Sequence, residues 1–376
     1  MAGIGWEFEK VFNWDGSSTY TDVTLEAQSP AGTSFTLFDS SAHYLYLGHS
    51  QKFDMAIFDV ATAGSLGALT WEYRKSDDTW AEFVPASGRF ATDPDDDEGG
   101  QYDFSEDGAE IFPANLLVNW ATQTINSANL YWVRVTAASV ATEPTIKRIQ
   151  CRPFAIYTTS KNVFELLQLK NVTTSDGSGT DFTTSTVPTK ETVEFYINEA
   201  QSYIDMNTRK SWRPNYVVDE YHEFNLNGMK LEMPNPQKII SLKIWNGASW
   251  DSKSQGRTQD FFFVPTTGMV QFSRYFLLPA RFTSYNAPVW RWGGGEFTMP
   301  IKITYLAGRD INTDALQGGI VQEIAKKMAA IDVVRSADFG NLAVSGMDRV
   351  SMSEKVNAWQ EEIEDRLDFL TAFEVF

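Results

Sequence analysis

The chain has 376 residues, of which 43% are hydrophobic and 14% aromatic, which is enough for two compact cores. Its formal net charge of −18 argues against a broad nucleic-acid-binding surface, because phosphate contacts need clustered lysine and arginine. The same charge fits two other situations, an acidic channel wall along which DNA slides without sticking and a surface adapted to high salt.

The sequence contains one cysteine and shows no pattern typical of a membrane span or a secretory signal. The single cysteine, Cys151, excludes an intramolecular disulfide and a cysteine-based zinc site, and it favours a buried small apolar side chain. No stretch approaches the ~20 apolar residues of a membrane span. The start, "MAGIGWEFEK", lacks the basic and apolar regions of a secretory signal, so we expect assembly in the cytoplasm without a membrane partner.

Residues 6 to 152 predict an all-β region. Short alternating or aromatic-rich segments such as "HYLYLGH", "ALTWEYR" and "LYWVRVTAA" are separated by glycine, proline and aspartate clusters. That spacing is typical of a sandwich or jelly roll. We therefore predict a β-sandwich domain over residues 1–153.

Helical patterns begin after residue 153. The segment "VFELLQL" predicts a short helix over about 161–169, and "KETVEFYINEAQSYIDMNTRKSWRP" predicts a long one over 190–210. Thr189 is the expected N-cap of the long helix. Its apolar stripe is formed by Val193, Ile197, Ala200 and Ile204. Four polar residues are assigned to the opposite, solvent-facing side: Glu191, Glu194, Gln201 and Asp205.

Strands and two further helices complete the pattern. A block of strand-like segments spans about 216–307, and apolar residues at helical spacing predict helices over 314–336 and 352–371. Ser351 and Glu354 match a capping box at the start of the last helix. The predicted fold class is α+β and multidomain, with a jelly-roll-like sandwich followed by a helical domain, residues 154–376, that carries a large β insertion.

Two resemblances concern virion proteins of tailed double-stranded DNA viruses. The segment from "YLYLGHSQKFDMAIFDV" to "YWVRVT" resembles an accessory β-sandwich module of such proteins. Residues 155–375 resemble head-to-tail connector (adaptor) proteins, in the order of the "VFELLQL" helix, the "VEFYINEAQSYID" helix with "T-KSWRP" after it, the strand "VVDEYHEF" and the last helix "SEKVNAWQEEIEDRL". The longer β block and the extra sandwich depart from a minimal adaptor and leave the ring position open.

The connector resemblance implies a structural virion protein at the head-tail junction. Such proteins form a homo-oligomeric ring of about twelve copies, with the portal protein above, a neck or tail protein below, and viral DNA passing through without sequence-specific binding. An isolated chain is expected to be monomeric. The surplus aromatic residues of the long helix then find a place at the subunit interface, for which the candidates are Tyr196, Tyr203, Trp212 and Arg213.

The last residues, "LTAFEVF", are the candidate portal-docking segment. Phe373, Val375 and Phe376 are apolar and strand-forming, and the connectors that this chain resembles dock C-terminal arms on the portal. A frayed end packed loosely on its own helix is the open alternative.

No enzyme, cofactor or metal signature is found in the sequence. The three histidines, His43, His49 and His222, lack metal-ligand spacing. The acidic run 93–98 could supply oxygen ligands for calcium, but a solvated loop is the better interpretation. The segment "WRWGGGEF" lacks the lysine and helix of a phosphate-binding loop.

A second function remains open. Tryptophans of a β-sandwich can stack on sugar rings, and Trp71, Trp80 and Trp132 are the candidate platform of a tail or baseplate protein that adheres to its host. The alternative is that these tryptophans fill the sandwich core. Their exposure decides between the two.

Overall fold

A computed structural model of the chain describes residues 6–29, 32–85, 102–112, 114, 116–167, 181–223, 228–233, 235–245, 249–272, 301–312, 314, 316–336 and 349–372. The helices are α1 (Thr24–Gln28), α2 (Ser160–Leu166), α3 (Lys190–Thr208), α4 (Gln317–Arg335) and α5 (Arg349–Ala372). The first strands are β1 (Lys10–Trp14), β2 (Tyr20–Asp22), β3 (Phe35–Thr36), β4 (Tyr44–His49), β5 (Phe53–Thr62), β6 (Ser65–Leu66), β7 (Leu69–Arg74), β8 (Trp80–Phe83), β9 (Gly108–Ile111), β10 (Thr122–Ile125), β11 (Ala128–Ala137), β12 (Val140–Thr142) and β13 (Thr145–Pro153). The later strands are β14 (Asn215–His222), β15 (Met229–Lys230), β16 (Pro236–Trp245), β17 (Trp250–Ser252), β18 (Phe261–Val264), β19 (Met269–Phe272) and β20 (Ile301–Ala307).

Two sheets enclose the first core. One has seven strands in the order β2-β1-β4-β11-β7-β8, with β10 paired to β11, and the other has the order β3-β13-β5-β9. Alternating residues of β7, namely Leu69, Trp71 and Tyr73, are buried between the sheets, as the period of two in a strand requires. Cys151 is also completely buried in this core, which confirms its predicted role as a small apolar side chain.

The later strands form a second β region. Strands β14-β20-β16-β17 make one sheet and β15-β19-β18 another, and both contribute to a core that contains Leu242, Phe261 and Ile303. All seven residues of β20 are buried, because β20 lies between β14 and β16 and is covered on both faces.

Helices α2, α3, α4 and α5 share a third core. It contains Ile197 of α3, Ile324 of α4 and Leu370 of α5. The change of core falls between Phe154, which packs on the first core, and Ala155, which is buried in the helical core.

Side chains also join the first sheets to the rest of the chain. Met55 and Ile57 of β5 form a small buried cluster with Leu306 of β20. Arg152 donates hydrogen bonds both to Asp54, at 2.7 Å, and to the Asn215 side chain, at 2.9 Å. Apolar burial and the Arg152–Asn215 hydrogen bond therefore connect residues on either side of the change of core.

The predicted α+β class is confirmed, and strands predominate over helices in the described residues. Four helices occur where the pattern placed them, with ends that differ from the predicted ones by at most three residues. The capping box is wrong, because α5 already includes Arg349 and Val350 and Ser351 lies inside the helix. The last helix therefore already includes the residues before the predicted capping box.

Candidate functional site

Two local features of the sequence favour helix α3, an N-cap residue at its start and an apolar stripe along one face. The Thr189 side chain accepts a hydrogen bond from the Thr192 amide, which confirms the predicted N-cap. The predicted stripe, including Val193 and Ile197, is completely buried in the helical core. The helix ends at Thr208, and Arg209 follows in the left-handed conformation with φ of 51°.

A second face of α3 is also buried, although the sequence pattern assigns it to solvent. Gln201 is 0% exposed. Its amide oxygen accepts hydrogen bonds from the backbone amides of Ile156 and Tyr157, at 2.6 and 2.7 Å, and its amide nitrogen donates to the Phe154 carbonyl at 2.7 Å. One glutamine therefore satisfies three backbone groups of the segment that enters the helical core.

Asp205 organises the turn that follows α3. Tyr157 Oη donates to the Asp205 carboxylate, and Arg213 Nε donates to its other oxygen at 2.9 Å. The Trp212 amide in turn donates to Tyr157 Oη at 2.7 Å. Burial raises the pKa of Asp205, and the Arg213 charge opposes that rise. This network holds α3 and the Ser211 turn in one rigid arrangement.

Glu194 is the third polar residue of α3 that is wrongly assigned to solvent. It is 6% exposed, and its Oε1 has no hydrogen-bond partner. The nearest cation is Lys190, whose Nζ lies 3.8 Å from Oε1. Burial raises the pKa of Glu194 to about 7, although Lys190 opposes the rise. Glu194 therefore changes its charge near neutral pH.

The remaining face of α3 exposes large apolar side chains. Phe195 is 48% exposed, Tyr203 44% and Met206 71%. At 3.6 residues per turn the three positions fall within about 80° of the helix circumference. We call these three residues the α3 outer strip. The exposed Glu199 lies within the same arc, so the strip is apolar except for this one carboxylate, and the other sides of the helix are fixed by packing and hydrogen bonds.

The structure separates the four predicted interface residues. Tyr203 lies in the outer strip, and Tyr196 is partly buried against the helical core. Trp212 is 0% exposed and its indole donates to Asp314 at 3.2 Å, so its assignment to a subunit interface is wrong. Arg213 is partly exposed, with its guanidinium bonded to Asp205 and Asn198, so its place at a subunit interface stays a prediction.

A second candidate surface lies on the outer side of the seven-stranded sheet. Pairing places Phe12 beside Tyr46, Tyr46 beside Arg134, and Arg134 beside Glu72. The same side carries the partly exposed rings of Trp14, Tyr20, Tyr44 and Trp80. The outer side of such a sheet is usually polar, so this concentration of aromatic side chains is a specific feature of the sheet.

The partly exposed rings lie over buried aromatic side chains of the same sheet face. Trp132 is completely buried and lies across Gly48, where a Cβ would come within 2.5 Å of its ring. Phe12 stacks on Trp132 with ring centroids 5.5 Å apart. Gly48 is therefore required for the indole to lie flat on β4.

Arg134 lies between two of the partly exposed rings. Its guanidinium carbon is 4.3 Å from the Tyr44 ring centroid and 4.1 Å from that of Trp80. Its Nε donates to Glu72 at 2.7 Å and its Nη1 donates to Tyr46 Oη at 3.1 Å. These contacts fix the guanidinium and both rings.

The predicted sugar platform is wrong as a set. Trp71 and Trp132 are both 0% exposed, because each packs within a core and neither presents a ring to solvent. Only Trp80 is partly exposed, and it belongs to the outer aromatic surface. The sequence does contain a pattern that predicts this surface. Aromatic residues recur two positions apart in two strands, Phe12 with Trp14 and Tyr44 with Tyr46, and such residues lie on the same face of a strand.

Other predicted sites have mixed outcomes. His49 is buried beside Glu9, and burial lowers its pKa. His222 Nε2 lies 2.5 Å from Glu220. Within the described residues no three histidine, cysteine or acidic side chains are grouped as metal ligands. The acidic run 93–98, the segment 290–297 and the docking residues Phe373, Val375 and Phe376 lie outside the described residues.

Comparisons with known proteins do not assign a family. No protein-family model matches the chain, and no curated protein matches it significantly. None of the helices in the described ranges is long and apolar enough to cross a membrane.

Proposed function

We propose that this chain is a structural virion protein that forms the head-to-tail connector ring of a tailed double-stranded DNA virus. In this proposal residues 1–153 are a jelly-roll-like accessory sandwich, and residues 154–376 are the adaptor domain with a β insertion. The α3 outer strip is the observation that carries the proposal. The apolar side chains of this strip are exposed, whereas the other faces of α3 are covered by packing and hydrogen bonds.

The proposed occupant of the strip is a second copy of the same chain. A ring uses a head-to-tail interface, in which each copy presents one surface to the next copy and a different surface to the previous one. An exposed strip of Phe, Tyr and Met suits the apolar centre of such an interface, because aromatic residues and methionine are enriched there. Tyr196 and Tyr203 remain candidate contacts, now with Phe195 and Met206.

Rigidity of α3 favours ring closure. The Gln201 and Asp205 networks fix the helix against the segments before and after it. A surface that is already ordered loses little conformational entropy on association. The strip can therefore bind a neighbour at one defined angle, which a closed ring requires.

The proposed partners are a portal protein above the ring and a neck or tail protein below it. A net charge of −18 suits a channel that DNA traverses without binding. Near the end of α5, Leu370 is completely buried and its carbonyl accepts a hydrogen bond from Lys210 Nζ at 2.8 Å. The proposed docking segment, with Phe373, Val375 and Phe376, therefore follows an anchored position. No catalytic role is proposed.

The test is assembly in the particle. A reconstruction of the intact virion is expected to place about twelve copies in a ring beneath the portal, with α3 of each copy at a contact with the next. The Met206→Glu variant is expected to fold normally but to be lost from particles, because a carboxylate would be buried in the contact.

Leu25→Glu is the matched control, because Leu25 is 78% exposed and lies on a different helix, α1, which packs on β13 and β1. Normal incorporation of Met206→Glu would remove the role of the strip. Copies located on tail fibres or on capsid faces would overturn the connector function itself.

A further inference from the structure

The outer aromatic surface of the seven-stranded sheet has no role in the proposed ring. We define the aromatic face as Trp14, Tyr20, Tyr44, Trp80 and Arg134. We propose that the aromatic face binds a neutral carbohydrate chain. This inference rests on the first sheets alone and is independent of the connector function.

The rings of the aromatic face match the apolar side of a sugar. Trp14 and Tyr44 have centroids 5.5 Å apart, and Trp14 and Tyr20 are 6.1 Å apart and stacked. Indole and phenol rings offer an electron-rich face to the C–H groups of a sugar and a polar N–H or O–H group at the edge. Trp14 already packs against both tyrosines, so a sugar would contact the parts of these rings that remain exposed.

The aromatic face is ordered before any ligand arrives. Tyr46 lies beneath it, 2% exposed, and its ring contacts those of Trp14 and Trp80. Arg134 fills the space between Tyr44 and Trp80 and is itself held by hydrogen bonds. Fixed rings lose little entropy when a ligand binds, so even a modest contact area supports binding.

Charge around the aromatic face selects a neutral ligand. Arg134 is paired with Glu72 and Lys10 with Asp22, both at 2.7 Å. Glu82 lies directly across from Glu72 in the neighbouring strand and is exposed. Arg74, which lies over the Trp80 ring, is paired with Asp78. Among the described residues of this face an anion would therefore meet an exposed carboxylate without an unpaired cation to balance it, whereas sugar hydroxyl groups can donate to the same carboxylates.

Affinity electrophoresis of the purified 376-residue chain tests this inference. Native gels would contain a soluble β-glucan, a xylan, a galactomannan or dextran, with alginate as the anionic comparison. At least one neutral polysaccharide is expected to retard the chain, and alginate is not. Tyr44→Ala and Tyr20→Ala are each expected to weaken that retardation about tenfold in dissociation constant.

Tyr203→Ala is the matched control, because it removes an exposed tyrosine from α3 and leaves the aromatic face intact. Thermal unfolding of every variant shows that the fold is retained. The inference is overturned if no neutral polysaccharide retards the chain, if alginate retards it equally, or if both folded tyrosine variants bind like the native chain. A native dimer that Tyr44→Ala dissociates would instead identify the aromatic face as a contact between copies. None of these outcomes alters the test of the ring, which depends on Met206.

Discussion

Glu194→Gln is expected to stabilise the protein at alkaline pH and to have little effect in acid. Glu194 is 6% exposed, its Oε1 has no hydrogen-bond partner, and burial raises its pKa from the ordinary 4.5 to about 7. The folded state therefore holds a proton that the unfolded state has already released between these two values. Within that range the stability of the native protein falls as the pH rises.

The magnitude follows from the two pKa values. One pKa unit corresponds to about 1.4 kcal/mol, so an ionised Glu194 costs the folded state about 3 kcal/mol above pH 7. Below pH 4.5 the carboxyl is protonated in both states and the cost vanishes. Glutamine has nearly the same shape as protonated glutamate and stays neutral at every pH, so it should remove this cost.

Urea unfolding at a series of pH values measures the effect. The unfolding free energy of Glu194→Gln minus that of the native chain should grow from near zero at about pH 4 to about 3 kcal/mol at about pH 8. Glu199→Gln is the matched control on the same helix, because Glu199 is exposed, and it should change stability by less than about 0.5 kcal/mol. A difference between Glu194→Gln and native protein that does not vary with pH would refute the assignment of a buried, raised-pKa carboxyl.

Three further predictions concern packing, hydrogen bonding and assembly. Gln201→Leu should lower the unfolding free energy by at least about 3 kcal/mol in urea titrations, because three buried backbone groups lose their partner; an unchanged midpoint would contradict this. Gly48→Ala should cost about 1 to 3 kcal/mol, measured by thermal unfolding, because the new Cβ would come within 2.5 Å of the Trp132 ring. The double variant Phe195→Ser with Met206→Ser should keep its melting temperature within a few degrees yet reduce incorporation into particles, which quantitative immunoblotting of purified virions measures; normal incorporation would count against the outer strip.

Local patterns predicted the elements well where periodicity was strong. The stripe that contains Val193 and Ile197 identified α3, and the hydroxyl of Thr189 marked its first turn. These features depend on residues three or four positions apart, which are neighbours in any helix of this sequence. The strand that contains Trp71 followed equally from alternation over a few residues.

The candidate surfaces could not be predicted from local sequence patterns, because they depend on contacts between segments that are distant in the sequence. A glutamate or glutamine on α3 has the same local neighbours whether its side faces solvent or another segment. Gln201 is buried and Asp205 partly buried because residues 154–157 and the turn after α3 pack on that side, at sequence distances of up to 48 residues. Glu194, at the other end of the helix, is buried as well. Trp212 is buried for the same reason, by a turn that closes on Tyr157 and Asp314.

The sequence by itself determined the composition of the two strand faces and the stripe of the helix, because these follow from backbone periods of 2 and 3.6 residues. Only the tertiary structure decided which faces are covered. The pairing of β4 with β1 and β11 assembled Trp14, Tyr44 and Arg134 into one partly exposed surface, while the closure of the two sheets buried Trp71. Coverage depends on which distant segments meet, and the free energy of burying a face is gained only when its partner is in place.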